Sequence, residues 1–364
     1  MARVLIAMSG GVDSSVAAVL LKDQGYEVAG ATFKLFENED IGIERTRTCC
    51  SLEDVLDAKS VADKLGVRHD VFNFGLQFEQ DVILPFAEAY KNGETPNPCI
   101  ECNRSIKFEK FLERALLMEY DYIATGHYAR IEKDPKSGRY LLKKGQDQSK
   151  DQSYALYTMT QTELTRTLFP LGTLKKTEIR AIAEEKGFVN AKKPDSQDIC
   201  FVKDGDYAGF LKRTLGVNPV EGDFVDHEGS VLGRHQGIIH YTIGQRKGLG
   251  KTFGKPMYVV HIDSEKNRVT LGSNEDLFVD CFLVGDINLI SIAELTEPME
   301  VTVKARYTQA EVPAIISPAA QGRILVQFQE KQRAVTPGQA AVFYLGDVVV
   351  GGGKILKKER EATF

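Results

Sequence analysis

Three short stretches of the chain carry side chains that could do chemistry. The first is Met8-Ser9-Gly10-Gly11-Val12-Asp13-Ser14-Ser15, set between an apolar run at residues 4–7 and a helix-like run at residues 16–21. Paired glycines let a backbone turn sharply and present its N–H groups. The start of a helix adds unpaired N–H groups and a positive dipole end, and both favour an anion. An ordinary strand-to-helix turn with a serine cap is the plainer reading of the same residues. The second stretch, TPNPCIECNRSIKF at residues 95–108, places Cys99 and Cys102 in a CxxC. That spacing suits a redox pair, half a zinc site or part of an iron–sulfur site, and two unrelated core thiols stay open beside these. A structural zinc site needs four ligands, whereas the nearest other cysteine in sequence is Cys50 and there is no second CxxC. The third stretch, Asp195-Ser196-Gln197-Asp198-Ile199-Cys200, flanks a cysteine with polar and acidic residues. A reactive thiol needs a depressed pKa and access; a buried, inert thiol is the default for a single cysteine.

The elements that must position these residues can be read from periodicity. Residues 1 to about 130 alternate short apolar runs with helical patterns, which predicts a parallel, doubly wound α/β sheet with helices on both faces. Ligands of such sheets sit beyond the carboxyl ends of the strands. The loop at residues 9–15, Ala31-Thr32-Phe33 and Ala124-Thr125-Gly126-His127 would all emerge there. After about Asp206 glycines become frequent, and from Cys281 onward alternating segments dominate. In MEVTVKARY, Val301, Val303 and Ala305 fall on one face and Thr302, Lys304 and Arg306 on the other. Short strands at regular spacing predict a small β-barrel.

Composition bounds the rest. With 364 residues, 43% hydrophobic and 27% charged, the chain is an ordinary globular sequence of two or three domains. No run has the length of a membrane span, and the N-terminal apolar run is too short for a signal peptide. A cytoplasmic location is expected, with the cysteines at 49, 50, 99, 102, 200 and 281 reduced, metal-binding or catalytic and Cys281 assigned to packing. The net charge of −5 argues weakly against a nucleic-acid partner. Residues 229–258 argue the other way: Arg234, Arg246, Lys247, Lys251, Lys255 and two histidines occur there without one acidic residue. Such a patch is either a phosphate-binding surface or a solvated face.

The glycine loop fits neither the P-loop nor the dinucleotide fingerprint. It resembles SGGxDS, the pyrophosphate loop of the PP-loop ATP pyrophosphatases, which split ATP between its α and β phosphates. MSGGVDSS, TPNPCxxCNRSIKF, ATGHYAR, KDQSYALY, LFPLG and DSQDICFV occur in that order. Together they resemble the tRNA-specific 2-thiouridylases, the MnmA/TrmU family, from residue 2 to about residue 350. That resemblance implies a PP-loop (adenine nucleotide α-hydrolase-like) domain at residues 1–205, a small central tRNA-binding domain at 206–280 and a C-terminal β-barrel at 281–364. It implies sulfur insertion into the wobble uridine of the tRNAs for lysine, glutamate and glutamine, with AMP and pyrophosphate as co-products.

Carried over residue by residue, it assigns Ala7, Met8, Ser9, Gly10, Gly11, Val12, Asp13 and Ser14 to the ATP phosphates and Phe33 and Gly126 to the adenosine. Asn97, Pro98 and Cys99 would approach the target base. Cys102 would be the nucleophile and Cys200 the persulfide carrier; Lys150, Asp151, Gln152, Arg306 and Tyr307 would touch tRNA. Some members have aspartate where this chain has Cys99. Mg²⁺ is expected on the phosphates, with Asp13 and a loop serine as its ligands. The sulfur comes from a persulfide donor, such as a cysteine desulfurase or a relay protein. In the persulfide route either the outer sulfur on Cys200 attacks the activated carbon, or Cys102 attacks the persulfide and frees sulfide, the second leaving a Cys102–Cys200 disulfide. A rival scheme has Cys99, Cys102 and Cys200 hold a 4Fe–4S cluster; the persulfide route is preferred because the family pattern needs only two of the thiols. Two other functions compete: a PP-loop enzyme of the nitrogen-transfer type, and a non-catalytic, ATP-gated RNA-binding protein.

Overall fold

A computed structural model describes residues 1–36, 52–194, 199–202, 205–216 and 218–358. Cys49, Cys50 and the DSQD part of the third stretch lie outside the described residues. The chain divides into two compact units. The first comprises Met1–Ile83, Cys99–Gly205 and Asp347–Val349, the second Leu84–Pro98, Asp206–Gly346 and Val350–Phe364.

In the first unit, the apolar run near the N-terminus becomes β1 (Arg3–Ala7), with Val4, Leu5 and Ile6 entirely buried. Burial on both sides is what a near-continuous apolar run predicts for a central parallel strand. It is followed by helix α1 (Val12–Asp23), β2 (Glu27–Lys34), helix α2 (Leu52–Leu65) and β3 (His69–Asn73). Then come β4 (Tyr122–Ala124), the hairpin strands β5 (Ala129–Lys133) and β6 (Tyr140–Lys144), and β7 (Thr167–Leu168). The sheet order is β3-β2-β1-β4-β7, all pairs parallel. The order reverses beside β1, so the loop after β1 sits at a switch point, the expected place for a ligand. Val16, Ala17 and Ala18 of α1 and Ala58, Val61 and Ala62 of α2 pack on this sheet; small side chains let the helices approach closely.

The second unit holds two β structures. A four-stranded sheet is ordered β10 (Tyr258–Asp263), β11 (Arg268–Gly272), β8 (Gly222–Val225), β9 (Val231–His235). A closed six-stranded barrel follows in the order β12 (Phe278–Leu289), β15 (Ile324–Arg333), β14 (Val312–Pro318), β13 (Met299–Lys304), β16 (Ala340–Leu345), β17 (Val348–Ile355), with β12 pairing β17 to close the ring. The alternation read in MEVTVKARY holds: Val301, Val303 and Ala305 are buried inside the barrel. The fold is therefore the expected one, a parallel α/β domain, a small central domain and a terminal barrel. Sequence reasoning overlooked the helix Tyr207–Leu215, capped by Asp206 and ended by Gly216 at φ 60°, and the start of the helical run at Pro98. Among the described residues no helix is long and apolar enough to cross a membrane.

Candidate active site

Ala7 closes β1, and the backbone N–H of Met8 still pairs with the Ala31 carbonyl at 2.8 Å. The chain then turns through Ser9, which is exposed, and Gly10, whose φ is +72°. A Cβ on Gly10 would stand 2.4 Å from the carbonyl oxygen of Asp54 in α2, so a side chain is excluded by contact as well as by conformation. Gly11 is the N-cap of α1 and no side chain caps the helix, so the serine-cap reading does not hold. Ser14 instead accepts the Ser9 N–H at 3.2 Å and donates to the Gly11 carbonyl at 3.1 Å, bracing the loop from inside; Ser15 donates to the same carbonyl at 3.0 Å. The first-turn N–H groups of Val12, Asp13 and Ser14 have no partner available within the helix. They leave the helix start with the unpaired donors and positive dipole end on which the expected anion site depends.

The loop is clamped from three sides. Gly126, just past β4, lies so close to the helix start that a Cβ there would be 2.8 Å from Ser14 N and 3.0 Å from the Asp13 carbonyl carbon. Asn190, almost fully buried, donates to the Gly10 carbonyl at 3.0 Å and to Ser15 Oγ at 2.9 Å. Lys193 bridges Asp54 (2.7 Å) and Asp57 (2.6 Å) of α2, beside Gly10.

Asp13 carries a different set of contacts from those expected. Lys176 Nζ lies 2.7 and 2.8 Å from its two oxygens, and the Tyr128 hydroxyl donates to Oδ1 at 2.7 Å. A carboxylate with an ammonium across both oxygens does not fit a protein ligand for Mg²⁺. Among the described residues no group of three His, Cys, Asp or Glu side chains could hold a metal ion. Cys99, Cys102 and Cys200 are all described, and they are not gathered into such a group. Lys176 went unnoticed in the sequence, although it carried a signal. A lysine in the first turn of its helix, Lys176–Glu185, opposes the helix dipole and calls for a local carboxylate.

The ATGHYAR motif divides between chemistry and packing. Tyr128 faces Asp13, and its N–H donates to Gln152 Oε1 at 3.0 Å. His127 is buried between Phe108 and Phe169, with ring centroids at 5.7 and 6.0 Å, and its Nδ1 lies 2.7 Å from Thr125 Oγ1. Burial, with some help from Lys107, holds its pKa well below the usual histidine value, so it packs as a neutral ring. Phe33, at the end of β2, packs edge-on against Phe74 and Phe111 at 5.4 and 4.9 Å.

Pro98 begins a helical run, Pro98–Glu101, that continues as a π-helical stretch, Cys102–Lys110, and then Phe111–Leu117. Asn97 is half-buried, Cys99 is exposed and Cys102 is buried at the first π-helical position. π-Helical turns inside helices concentrate at functional sites. The short helix Gly75–Phe78 packs against this stretch. Its Phe78 ring meets Phe201 edge-on at 5.6 Å, which brings the neighbour of the half-buried Cys200 to the same short helix.

The residues expected on tRNA fall into two groups. Asp151 uses Oδ1 on the backbone N–H of Gly145 and Ser153, and Gln152 is committed to Tyr128; these two shape their own loop. Lys150 and Arg306 are half-buried and Tyr307 is exposed, with Lys304 Nζ 5.7 Å over its ring. In the basic stretch, Arg234 is paired with Asp223 at 3.0 Å, while Arg246, Lys247, Lys251 and Lys255 are exposed.

Three family models tile the chain: a tRNA methyl transferase HUP domain over residues 2–204, a tRNA methyl transferase PRC-barrel domain over 208–273 and an aminomethyltransferase beta-barrel domain over 279–355. The tRNA-specific 2-thiouridylase MnmA 1 of Clostridium botulinum is 53% identical, the alignment covering 98% of this chain and 99% of that one. The enzyme named tRNA-specific 2-thiouridylase MnmA in Clostridioides difficile is 52% identical over 98% of each chain. Its namesake in Acetivibrio thermocellus is 53% identical over 97% of this chain and 99% of its own. A solved 4-thiouridine synthetase–RNA complex with bound ATP is a far looser likeness: 20% identity, TM-score 0.37, covering 55% of this chain and 44% of that one. Identity above one half along almost the entire length, on a chain whose glycine loop and CxxC helix stand as described, shows that this protein belongs to the tRNA-specific 2-thiouridylase (MnmA) family.

Proposed function

We propose that the protein is an ATP-dependent tRNA 2-thiolase of the wobble uridine in the tRNAs for lysine, glutamate and glutamine. The observation that carries this reading is the uncapped, anion-facing glycine loop, in the same compact unit as the CxxC helix and Cys200. Uridine O2 is a very poor leaving group. Its attack on the α-phosphorus of ATP forms an O–P bond, breaks the α–β anhydride and releases pyrophosphate. First-turn N–H groups and the α1 dipole stabilise the charge that develops on the departing group. Lys176, held by Asp13, supplies a fixed positive charge at the same helix end.

A persulfide anion on Cys200 then adds its outer sulfur to C2, and AMP leaves with the oxygen. The Cys102 thiolate attacks the Cys200 sulfur, 2-thiouridine departs and a Cys102–Cys200 disulfide remains. Two electrons from a cellular thiol reopen it. A cysteine desulfurase or a sulfur-relay protein reloads Cys200, and the cycle runs in the cytoplasm. The wobble base must unstack to reach the thiols. Arg246, Lys247, Lys251 and Lys255, with Lys150, Arg306 and Tyr307, contact the RNA backbone and set a steep salt dependence.

The deciding experiment incubates the protein with ATP, a persulfide donor and unmodified glutamate tRNA, followed by mass spectrometry of the anticodon nucleosides. Exchange of oxygen for sulfur, lost in Cys102→Ser and Cys200→Ser, is the expected result. Pyrophosphate release with no sulfur incorporated, unchanged in Cys200→Ser, would favour the nitrogen-transfer reading instead.

A further inference from the structure

The barrel turn at residues 334–339 grips the stretch that leads into the CxxC, and the same turn takes the guanidinium of Arg306. Pro337 accepts the Thr95 N–H at 2.9 Å, and Gln339 Nε2 donates to the Thr95 carbonyl at 2.7 Å, so both backbone groups of Thr95 are held. Glu94 pairs with Lys354 at 2.7 Å, and Thr95 Oγ1 reaches Thr242 Oγ1 at 3.3 Å. Gly338 has φ +90°, and a Cβ there would stand 2.9 Å from Glu94 Cβ and 3.0 Å from Thr95 N, so the grip requires a glycine. On the other side of the turn, Thr336 accepts Arg306 Nη2 at 2.8 Å and donates to the Ala334 carbonyl at 2.9 Å. The turn is itself fixed to β17 by Gly338 N–H to Ile355 O (3.0 Å) and Ile355 N–H to Gln339 O (2.8 Å). Thr336 and Gln339 are both buried.

Pro96 and Pro98 flank Asn97, and each fixes its own φ and restricts the residue before it. An orientation imposed at Thr95 is therefore carried to Asn97 with little slack. We propose that Thr336 and Gln339 are positioning residues: they join Arg306 to Asn97 in one rigid piece, so that RNA held at Arg306 and the loop offered to the base keep a fixed spacing. This rests on the reading of residues 97–99 as the base-approaching loop and of Arg306 as an RNA contact. The coupling is a rigid mechanical link within one compact unit, and it predicts non-additivity between its members.

The test uses the full-length chain and an unmodified tRNA transcript. In Gln339→Ala and Thr336→Val, kcat for thiolation falls about 10- to 100-fold, the cost of a misplaced reacting group, while KM for tRNA stays within about twofold. Thr336→Ser, which keeps the hydroxyl, restores kcat. Arg306→Ala lowers kcat and raises KM, but in the Thr336→Val background it changes KM alone. Hydrogen exchange supplies a readout free of catalysis: the Thr95 amide exchanges at least about tenfold faster in both variants, and tRNA slows it in the wild type but not in Thr336→Val. Wild-type kcat in both variants, additive kcat effects, or Thr95 exchange unaltered by either substitution would each overturn the proposal. A wild-type chain that binds the transcript without thiolating it would overturn the functional reading instead, and the exchange data would still decide the link.

Discussion

Replacing Gly126 by alanine tests whether the helix start is placed by contact. The added Cβ would sit 2.8 Å from Ser14 N and 3.0 Å from the Asp13 carbonyl carbon, whereas ordinary contact begins at 3.4 Å. Ser14 and Asp13 are backbone neighbours in the first turn, so no flexible side chain can yield; the helix start must recede by several tenths of an ångström. Overpacking of this kind costs about 1–3 kcal/mol, or a Tm lower by roughly 2–4 °C for each kcal/mol in a domain of this size. The displaced atoms include the N–H groups proposed above to face the phosphates, and displacements approaching 1 Å cost about a hundredfold in rate. The expected result is a kcat/KM for ATP lower by about 10- to 100-fold, read as tRNA-dependent pyrophosphate release. Gly138→Ala is the control: φ there is +72° but nothing lies within 4 Å, so it loses about 1 kcal/mol to backbone strain and keeps its ATP kinetics. Gly126→Ala with wild-type pyrophosphate release would refute the reasoning.

The Asp13–Lys176 pair should behave as one unit. Lys176→Met and Asp13→Asn each destabilise the first unit in urea titrations, and the double variant loses less than the sum by at least about 0.5 kcal/mol; full additivity would dissolve the pair. His127 is held neutral by burial, so the unfolded chain takes up a proton that the native chain refuses as pH falls below about 6.5. Its contribution to stability is complete above that pH and is lost below it, so urea midpoints should fall between pH 6.5 and 5, and less steeply in His127→Phe. Cys281 is pushed to a higher pKa by burial and then by Asp280, while Cys99 is exposed. Peptide mapping after brief iodoacetamide treatment at pH 7.5 should show Cys99 alkylated well before Cys281.

Much of the site was legible because it is local. The loop at residues 8–15 announces its own turn, and Gly126 and Tyr128 lie in a strand-end motif that a doubly wound sheet must bring to the same edge. Lys176 and Asn190 were not legible as partners of that loop, because each reaches it across more than 150 residues of chain through a single side chain. Asp151 and Gln152, expected on tRNA from the family resemblance, also accept backbone N–H groups within the protein, at Gly145 and Ser153 and at Tyr128, which no local pattern in the sequence foretold. The alternation in β13 revealed the barrel, yet no periodicity could reveal that one of its turns would grip Thr95.

That grip fixes an order of assembly. Thr95 and Gln339 are 244 positions apart, and a ribosome adding about 5–20 residues per second needs some 12 to 50 s to get from one to the other. For the last part of that interval, once Cys200 has been made, β1, β2, β3, β4 and β7 and the cysteines up to Cys200 are all present, while the Thr95 N–H and carbonyl still lack Pro337 and Gln339. A nascent or prematurely terminated chain therefore carries the loop after β1 without the turn that holds Thr95, and that hold arrives only with the last two strands.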